Sequence, residues 1–456
     1  MPAEPAIALS AGVLPDGMEG KAYSFDLKTL TQVTAGPGIG SVQYALGGGS
    51  LPTGISLSND GLLAGTPTAL TAPEGAGFTV VGTYVDKTGQ QVYTIKVGES
   101  VLQAVQISLS RSSLAPVACA VTTSGAAKCW GRNGSGQLGN GTTTNSGVPV
   151  QVIGLTSGVT SVSVGASYAC ATVSGAAKCW GTNVQGQLGD GSKTPSTVPV
   201  QVVGLTAGVS SVATGDLFAC ALVTGAVRCW GDNPVNQLGD GTTTSSQVPV
   251  QVAGLNSGVT SLTTGGAHSC AVVLGAAKCW GYNGNGQLGD GTAGNASVPV
   301  QVANMTASVS SVFGGASHTC AIVSNAAWCW GSNSSGQLGD GTTANSGVPV
   351  LVVGLTAGVS SLRPGNTHTC AVVSGAAKCW GTVGTGHLGD GVSTQSNTPI
   401  QVFGLTSGVS QVAAGASYSC ALAAGVAKCW GVNSLGRLGD GTTIDRATPV
   451  NVKAGI

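Results

Sequence analysis

Short apolar and β-branched segments alternate with turn residues along most of this chain. In one representative stretch the segments lie near Thr160–Val164, Tyr168–Val173, Ala176–Thr182 and Val198–Val202, with Gly, Ser, Asn and Asp between them. Runs of this length bounded by turn residues are typical of β-strands. The stretch therefore predicts a unit of four short strands.

The unit recurs at a constant interval that is marked by a Cys-Trp-Gly triplet. The triplet begins at Cys129 and returns every fifty residues, at Cys179, Cys229, Cys279, Cys329, Cys379 and Cys429. A period of roughly 40 to 50 residues with four short strands is typical of propeller blades, whereas solenoid repeats are usually shorter or helical. Residues 105–456 therefore predict an all-β domain, a seven-bladed β-propeller.

The sequence leaves two ways to close the ring of blades. The chain ends soon after Pro449–Val452, the last segment of the PVQV type. If each such strand joins the three strands of the following repeat, this segment returns to complete the first blade beside Cys119. If it does not, the segment stays in its own repeat. We expect the first arrangement, because a ring closed by both termini resists opening.

Each repeat carries two cysteines on either side of a tight turn. Ser174-Gly175 suits a two-residue hairpin, since Gly supplies the positive φ that such turns require. Counting back from this turn places Cys170 opposite Cys179, in a non-hydrogen-bonded site where Cα atoms lie about 4.5 Å apart. That spacing fits a disulfide.

The same register predicts seven disulfides, one in each repeat. The pairs are Cys119–Cys129, Cys170–Cys179, Cys220–Cys229, Cys270–Cys279, Cys320–Cys329, Cys370–Cys379 and Cys420–Cys429. In the first repeat the loop gains one residue and becomes Thr123-Ser124-Gly125. The alternative is that the cysteines are buried reduced thiols, while a metal site is disfavoured because facing pairs in separate blades cannot assemble four ligands. Disulfides would indicate an oxidising compartment.

The pattern SVxxGxxH/YxCA, CWGxNxxGQLGDG and VPVQV resembles the repeats of the regulator of chromosome condensation family across residues 105–456. The resemblance implies a seven-bladed propeller. The first repeat departs from it, because it lacks the glycine found at Gly165, Gly215, Gly265, Gly315, Gly365 and Gly415. The namesake activity is guanine-nucleotide exchange on a small GTPase with chromatin binding, and the sparse charges and paired cysteines argue against it here.

Residues 1–104 contain none of the repeat and predict a separate small β-sandwich. Tyr23, Phe25 and Leu27 alternate, as do Phe78 and Val80, and VYTIKV before Gly98 predicts a last strand after the turn Asp86-Lys87-Thr88-Gly89. The segment LPTGISLSNDGLLAGTP resembles the LPxGLxL and GxxxGTP signature of immunoglobulin-like domains in bacterial surface and phage structural proteins. There the signature bounds two strands and their turn, in domains that usually act as spacers or anchors.

Composition narrows the possible functions. Of 456 residues 75 are Gly and only 7% are charged, and the formal net charge is zero. From Val105 onward 13 Lys or Arg and 9 Asp or Glu are scattered singly, which is too sparse for a nucleic-acid binder. The chain contains no run of roughly 18 apolar residues, so the sequence predicts no membrane-spanning helix. The start, MPAEPAIALSAG, lacks the basic and apolar regions of a secretory signal.

Three columns of repeated side chains are interpreted as architecture. One short acidic or amide side chain per blade caps the turn in LGDG or LGNG and cannot supply a calcium ring, at Asn140, Asp190, Asp240, Asp290, Asp340, Asp390 and Asp440. His268, His318 and His368 share their column with Tyr168, Phe218 and Tyr418, which indicates a half-buried ring rather than a metal or proton-transfer site. The Trp column is expected to pack between blades.

Residues that break the columns are the candidates for binding, because shared residues build the blade. Trp328 replaces the Lys of most other repeats, and His387 and Arg437 replace Gln. Arg363, Phe313 and Asp216 are further departures. Aromatic and Arg side chains are favoured at recognition hot spots. Neutral drift on a surface is the alternative for each.

The expected function is non-catalytic recognition or adhesion outside the cell, with no cofactor and no metal. Convergent acid, base or nucleophile groups are not evident, and paired carboxylates for a glycosidase are lacking. The propeller would bind a host-surface glycan or protein, and the first domain would attach to other virion or surface proteins, without nucleic acid or membrane insertion.

A phage virion appendage is the leading version of this expectation: a tail fibre, capsid fibre or decoration protein. A disulfide-bonded chain without an export signal could leave its cell by lysis. The alternative is a secreted bacterial adhesin or an enzyme-inhibiting propeller.

Overall fold

The computed structural model describes residues 4–34, 40–72, 74–113, 115–381, 384, 386–392 and 395–455. It divides the chain into two units, Met1–Ser100 and Val101–Ile456. Within the described ranges the chain forms β-strands and two short 3-10 turns, Leu27–Leu30 and Ser434–Gly436, and no α-helix. The all-β fold class predicted from the sequence is confirmed. No helix in this part of the chain is long and apolar enough to cross a membrane.

The first unit is a set of short strands in several small sheets around one apolar core. The strands are β1 (Ala6–Leu9), β2 (Gly17–Met18), β3 (Tyr23–Asp26), β4 (Thr31–Thr34), β5 (Gln43–Gly49), β6 (Ile55–Leu57), β7 (Leu62–Gly65), β8 (Ala76–Tyr84), β9 (Lys87–Ile95) and β10 (Val97–Gly98). The sheets are β5-β8-β9, β3-β7-β6, β1 with β4, and β2 with β10 in parallel. Leu27, Leu63, Phe78, Val80 and Ile95 are fully or almost fully buried in the core.

The signature segment forms two antiparallel strands with a turn between them, as the resemblance implied. Ile55 pairs with Gly65 in adjacent strands β6 and β7. A Cβ on Gly65 would lie 2.0 Å from Gly54 O, so only glycine allows the strands to approach this closely. The predicted turn at residues 86–89 is shifted: the hairpin turns at Val85-Asp86 and β9 already begins at Lys87.

The second unit contains seven four-stranded blades. Blade 1 is β11 (Ala104–Leu109), β12 (Val117–Thr122), β13 (Ala127–Gly131) and β14 (Ser146–Gln151); blade 2 is β15 (Val159–Val164), β16 (Tyr168–Val173), β17 (Ala176–Gly181) and β18 (Ser196–Gln201). Blade 3 is β19 (Val209–Thr214), β20 (Phe218–Val223), β21 (Ala226–Gly231) and β22 (Ser246–Gln251); blade 4 is β23 (Val259–Thr264), β24 (His268–Val273), β25 (Ala276–Gly281) and β26 (Ala296–Gln301).

Blades 5 to 7 repeat this pattern. Blade 5 is β27 (Val309–Gly314), β28 (His318–Val323), β29 (Ala326–Gly331) and β30 (Ser346–Leu351). Blade 6 is β31 (Val359–Pro364), β32 (His368–Val373), β33 (Ala376–Gly381) and β34 (Ser396–Gln401), and blade 7 is β35 (Val409–Ala414), β36 (Tyr418–Ala423), β37 (Val426–Gly431) and β38 (Arg446–Asn451). Each blade is an antiparallel meander in chain order.

The expected strand exchange at ring closure is wrong. The last strand, β38, pairs with β37 of its own blade and does not return to blade 1. Instead, residues 101–104 lie on blade 7. Leu102 N–H donates to Val452 O at 2.8 Å, Ala427 N–H donates to Leu102 O at 3.0 Å, and Ala104 N–H donates to Gly425 O at 2.9 Å.

These closing bonds copy those of an ordinary blade-to-blade linker. Between blades 1 and 2, Ala127 N–H donates to Leu155 O and Val159 N–H donates to Gly125 O, at 2.9 and 3.0 Å. Residues 101–104 therefore close the ring with the same hydrogen bonds that a linker makes between other blades. All four strands of each blade come from one repeat.

The apolar core lies between neighbouring blades, where the Trp column links them. All seven of these indoles have no exposed surface. Trp180 Nε1 donates to Gln137 O of the preceding blade at 3.0 Å, and Trp130 Nε1 donates to Arg437 O at 2.9 Å across the closure. The predicted packing of this column between blades agrees with these contacts.

The seven disulfides join the pairs given by hairpin counting. Cys170 and Cys179 face each other in adjacent strands with Cα atoms 4.0 Å apart. The turn between them has φ of 48° at Ser174 and 80° at Gly175, as a two-residue type I′ hairpin requires. The longer first loop also keeps Cys119 opposite Cys129.

Candidate functional site

The innermost strands of the seven blades surround a central channel of about 370 Å³. Its polar wall follows from strand alternation. In β15, Val162 and Val164 are buried in the core between blades, whereas Ser161 and Ser163 are only half-buried on the channel wall. The sequence pattern of the inner strand, with β-branched residues and hydroxyls alternating, thus separates a dry blade interface from a hydroxyl-lined channel.

Polar side chains in the channel wall also connect neighbouring inner strands. Gln106 Oε1 accepts from Val162 N–H at 2.8 Å, and Ser163 Oγ accepts from Thr214 N–H at 3.1 Å. Across the closure, Gln411 Oε1 accepts from Ile107 N–H at 2.9 Å. Several channel side chains therefore satisfy backbone amides that no neighbouring strand pairs.

Arg111 lies at the end of the channel where the inner strands finish. The loop from β11 to β12 is longer than its counterparts, and from it the guanidinium reaches three other blades. Its Nη2 donates to Thr214 O at 2.9 Å and to Gly265 O at 3.3 Å, and its Nη1 donates to Gly314 O at 3.2 Å. Burial lowers the pKa of Arg111, and the charge of Asp216 opposes that shift.

Arg363 and Phe313, two of the predicted candidates, meet in the channel. They occupy the same position in neighbouring inner strands, and the Arg363 guanidinium carbon lies 4.6 Å from the centroid of the Phe313 ring. Arg363 Nη1 donates to Leu362 O at 2.8 Å. Burial lowers the pKa of Arg363 to about 10, so the side chain is still a cation at neutral pH.

Asp216, a third candidate, occupies the place in its repeat that Arg111 occupies in the first. Its N–H donates to Gly266 O at 3.0 Å, one of the bonds that pass from blade to blade around this end of the channel. The side chain is exposed. The surrounding protein displaces part of the water around the Asp216 carboxylate, which raises the pKa of Asp216. The positive charge of Arg111 acts in the opposite direction.

The other three candidates lie outside the channel. His387 is buried, with its ring centroid 5.8 Å from that of His368. Arg437 is 5% exposed; its Nε donates to Ser434 O at 3.1 Å, and its guanidinium lies 5.7 Å from the Tyr418 ring. Both residues therefore sit in the protein interior and not on an open surface.

Trp328 pairs across strands with Leu351, a second departure in the same blade. In the preceding blade the residue matching Leu351 is Gln301, whose amide donates to three carbonyls at 2.9 to 3.1 Å. Trp328 packs against the apolar cluster between blades 4 and 5. Blade 5 thus replaces a polar pair by an apolar one on its outer side.

The His column is more deeply buried than the predicted half-buried ring. His268 Nε2 lies 2.8 Å from Thr319 Oγ1 of the next blade, and Thr319 Oγ1 donates to Gln287 O at 2.8 Å. Because the hydroxyl proton is used there, His268 carries its proton on Nε2. Its Nδ1 has no partner among the described residues. Burial lowers the pKa of His268, His318 and His368 to about 3.

The Asp column caps turns, as predicted. Asp240 Oδ1 accepts from Thr242 N–H at 2.9 Å and from Thr242 Oγ1 at 2.8 Å. In the described part of the chain no group of three or more His, Cys, Asp and Glu side chains is placed to hold a metal ion.

Arg111 is the one channel residue with a charge that sequence reasoning missed. Two signals pointed to it: the first repeat departs from the pattern immediately after its inner strand, and a lone Arg stands there. The neighbouring positions of Phe313 and Arg363 were also implicit in the fifty-residue spacing. The candidate site is therefore the channel, with Arg111, Arg363, Phe313 and a wall of hydroxyls.

Comparison with known families identifies both units. The model described as "Regulator of chromosome condensation (RCC1) repeat" matches residues 125–172, 175–222, 224–272, 279–322 and 324–372, more than half of the chain, and a second model of that description matches residues 309–337. The model described as "Putative Ig domain" matches residues 6–98. The first family match, residues 125–172, covers the outer half of one blade and the inner half of the next.

Solved structures share the propeller fold. Human WBSCR16 is 23% identical, with a TM-score of 0.63 over 71% of this chain and 94% of that one. Yeast RCC1 (Prp20), solved with Kap60 bound, is 20% identical, with a TM-score of 0.63 over 77% and 85%. Prp20p from Saccharomyces cerevisiae, described with its binding to Gsp1p and histones, is 21% identical, with a TM-score of 0.62 over 77% and 87%. No curated protein sequence matches the chain.

The matched repeats, the seven four-stranded blades and the shared propeller fold agree with one another. The chain belongs to the regulator of chromosome condensation (RCC1) repeat family and carries an immunoglobulin-like domain ahead of its propeller.

Proposed function

We propose that this protein is a non-catalytic recognition protein that works in an oxidising environment outside the cell. The observation that carries the proposal is the pairing of all 14 cysteines into disulfides, with none left free. Structural disulfides persist in extracellular and periplasmic compartments and are rare where glutathione keeps thiols reduced.

The position of the disulfides supports a structural role. Each disulfide links the two central strands of a blade, and all 14 cysteines are fully buried. A buried cross-strand bond is shielded from exchange with external thiols, because a thiolate must reach the sulfur to attack it. Seven such bonds suit a protein that must stay folded outside the cell, without chaperones.

The charge distribution disfavours histones as partners. Prp20p is described with binding to histones, which are basic proteins, whereas this propeller carries 13 Lys or Arg and 9 Asp or Glu. A basic partner needs a surface with an acidic excess. A glycan or a neutral protein surface fits the sparse charge better.

The finer version of the proposal is a virion appendage: a tail fibre, capsid fibre or decoration protein. In this arrangement the immunoglobulin-like unit attaches to other virion proteins and the propeller contacts a host-surface glycan or protein. The separate folding units support such a division of labour, because each has a core of its own.

Thiol labelling of the purified protein tests the compartment. We expect iodoacetamide to modify none of the 14 cysteines under denaturing conditions without reductant, and all of them after reduction. Denaturation matters because buried thiols would otherwise escape labelling. Finding 14 free thiols in native material from its own source would contradict the proposal.

Proteomics of purified phage particles, together with binding of the labelled full-length chain to candidate host cells, tests the finer version. We expect the chain in the particle and saturable binding to intact cells. Detection of the chain only in a culture supernatant free of particles would favour a secreted bacterial protein instead.

A further inference from the structure

We propose that the central channel is a binding site for a small oxyanion, a phosphate, sulfate or carboxylate group, held by Arg111 and Arg363. The inference is independent of where the protein works. It rests on two cations that line one cavity whose lining residues include no Asp or Glu.

Neither guanidinium is neutralised by an ion pair. In the described part of the chain no carboxylate oxygen lies within 4 Å of a guanidinium nitrogen of Arg111 or Arg363. Taking charged groups out of water costs several kcal/mol unless an opposite charge and hydrogen bonds compensate. Burial accordingly lowers the pKa of both arginines. Asp216 acts on Arg111 from beyond ion-pair distance, and an anion in the channel would add an opposite charge close to both guanidinium groups.

Hydrogen-bond donors remain for such a ligand. A guanidinium carries five N–H donors. Arg111 uses three of its donors on carbonyls, which leaves the second N–H of Nη1, whereas the unpartnered Nε is shielded from solvent. Arg363 donates to Leu362 O through Nη1, and its stacking on Phe313 leaves the edge of the guanidinium plane for further acceptors. Oxyanions match this planar edge in pairs of parallel bonds.

Both cations are held in place before any ligand arrives. Carbonyls of three blades fix Arg111, and the Phe313 ring supports Arg363. The two supports are adjacent, because Arg111 donates to Gly314 while Arg363 stacks on Phe313. Preorganised donors lose little conformational entropy on binding, which raises affinity.

The size and wall of the channel define the ligand further. A cavity of about 370 Å³ accepts a single phosphate or sulfate or a monosaccharide bearing one. The Ser and Thr hydroxyls of the wall can bind the hydroxyls of such a sugar. Exposed residues at the start of the inner strands, such as Val105 and Thr160, mark the end opposite Arg111.

Calorimetric titration of the full-length protein with inorganic phosphate tests the site. We expect saturable binding with one ligand per chain, and a loss of at least about tenfold in affinity in Arg363→Gln. Arg132→Gln, the same change at an exposed loop residue, is the matched control and keeps wild-type affinity. Arg363→Gln also removes the hydrogen bond to Leu362 O and the contact with the Phe313 ring, so the melting temperature of each variant without phosphate is measured to separate loss of binding from loss of folding.

Further ligands identify the source of the oxyanion. Sulfate and glucuronate show whether the site accepts oxyanions in general, and glucose 6-phosphate binding more tightly than phosphate shows that the hydroxyl wall contributes. Uncharged glucose is the control. No saturable binding of any of these anions, equal affinity in wild type and Arg363→Gln, or binding of glucose as tight as that of glucose 6-phosphate would overturn the proposal.

Discussion

At the scale of single residues, space between blades determines the glycine column. A Cβ on Gly315 would lie 2.6 Å from His318 Cε1 and 2.9 Å from Gly365 O of the next blade. The first repeat has Ser110 at this place, and it also has Val117 where the others carry an aromatic ring or His. The smaller Val side chain leaves room for Ser110, so the departure in the first repeat is a matched pair of changes.

Replacing Gly315 with Ala should therefore destabilise the propeller. The added methyl group overlaps the buried His318 ring, and overpacking of this kind costs about 1 to 3 kcal/mol. Gly294→Ala is the control, because its Cβ would meet no atom within 4 Å. Urea unfolding measures both variants. Equal stability of the two would show that the His318 ring yields without cost.

The His residues make the fold sensitive to acid. In the folded state their pKa is about 3, against an ordinary value of 6.5 that applies to the unfolded chain. Below pH 6.5 the unfolded state binds more protons, so the free energy of unfolding is highest above this pH and falls as the pH drops towards 3. Between pH 6.5 and 5, unfolding should take up as many as about three protons.

A double substitution provides the control for this pH dependence. His318 Nε2 contacts Thr369 of the next blade, and the residue at the same position beside Tyr168 is Ala219. His318→Tyr combined with Thr369→Ala reproduces the Tyr168–Ala219 pair and should reduce the proton uptake on unfolding by about one third. Urea unfolding at several pH values measures the slope, and an unchanged slope in the double variant would contradict the assignment.

At the scale of the strand hairpin, the disulfides add to a register that the turns already set. Each disulfide closes a loop with a sequence separation of 9 or 10 residues. Constraining a loop of this length in the unfolded chain contributes about 2 to 3 kcal/mol. The stabilisation is local, because each bond lies within one blade.

Replacing Cys270 and Cys279 together with Ala should lower the free energy of unfolding by about 2 to 4 kcal/mol, since lost packing adds to the lost constraint. Blade 4 should still form, because its hairpin register is set by the turn at Leu274-Gly275. Hydrogen exchange of the amides of blade 4, compared with blade 2, measures the effect. Complete loss of folding would show that the disulfides set the register themselves.

At the scale of the whole molecule, one blade interface differs from the others. Between blades 7 and 1 the contacts of residues 101–104 replace the covalent linker found elsewhere. Leu102 is 3% exposed there and occupies the place that Leu205 takes between blades 2 and 3. Opening of the ring should therefore begin at this interface, because only there can two blades separate without breaking the chain.

Leu102→Ala tests this expectation against Leu205→Ala. Each removes a buried Leu side chain and should cost about 2 to 5 kcal/mol. We expect only Leu102→Ala to accelerate hydrogen exchange selectively in blades 1 and 7. If Leu205→Ala accelerated exchange in blades 2 and 3 as much as Leu102→Ala does in blades 7 and 1, the closing interface would be as stable as an interface with a covalent linker.

The sequence by itself determined the blades. Strand boundaries, hairpin turns, cysteine pairing and the number of repeats follow from contacts between residues close in the chain, and seven copies reinforce each local signal. The immunoglobulin-like signature was readable for the same reason, although the turn at Val85-Asp86 was displaced because Val85 adopts a positive φ that its residue type does not announce.

Only the tertiary structure decided how the ring closes and what meets at its axis. Both strand exchange and closure by a linker-like segment keep the hairpins that join the first three strands of a repeat, so the hairpin signals in the sequence do not distinguish them. The pairing of β38 with β37 does. Arg111 and Arg363 are some 250 residues apart and converge because the closed ring brings all inner strands around one channel. Contacts across that channel depend on closure, which no single repeat encodes.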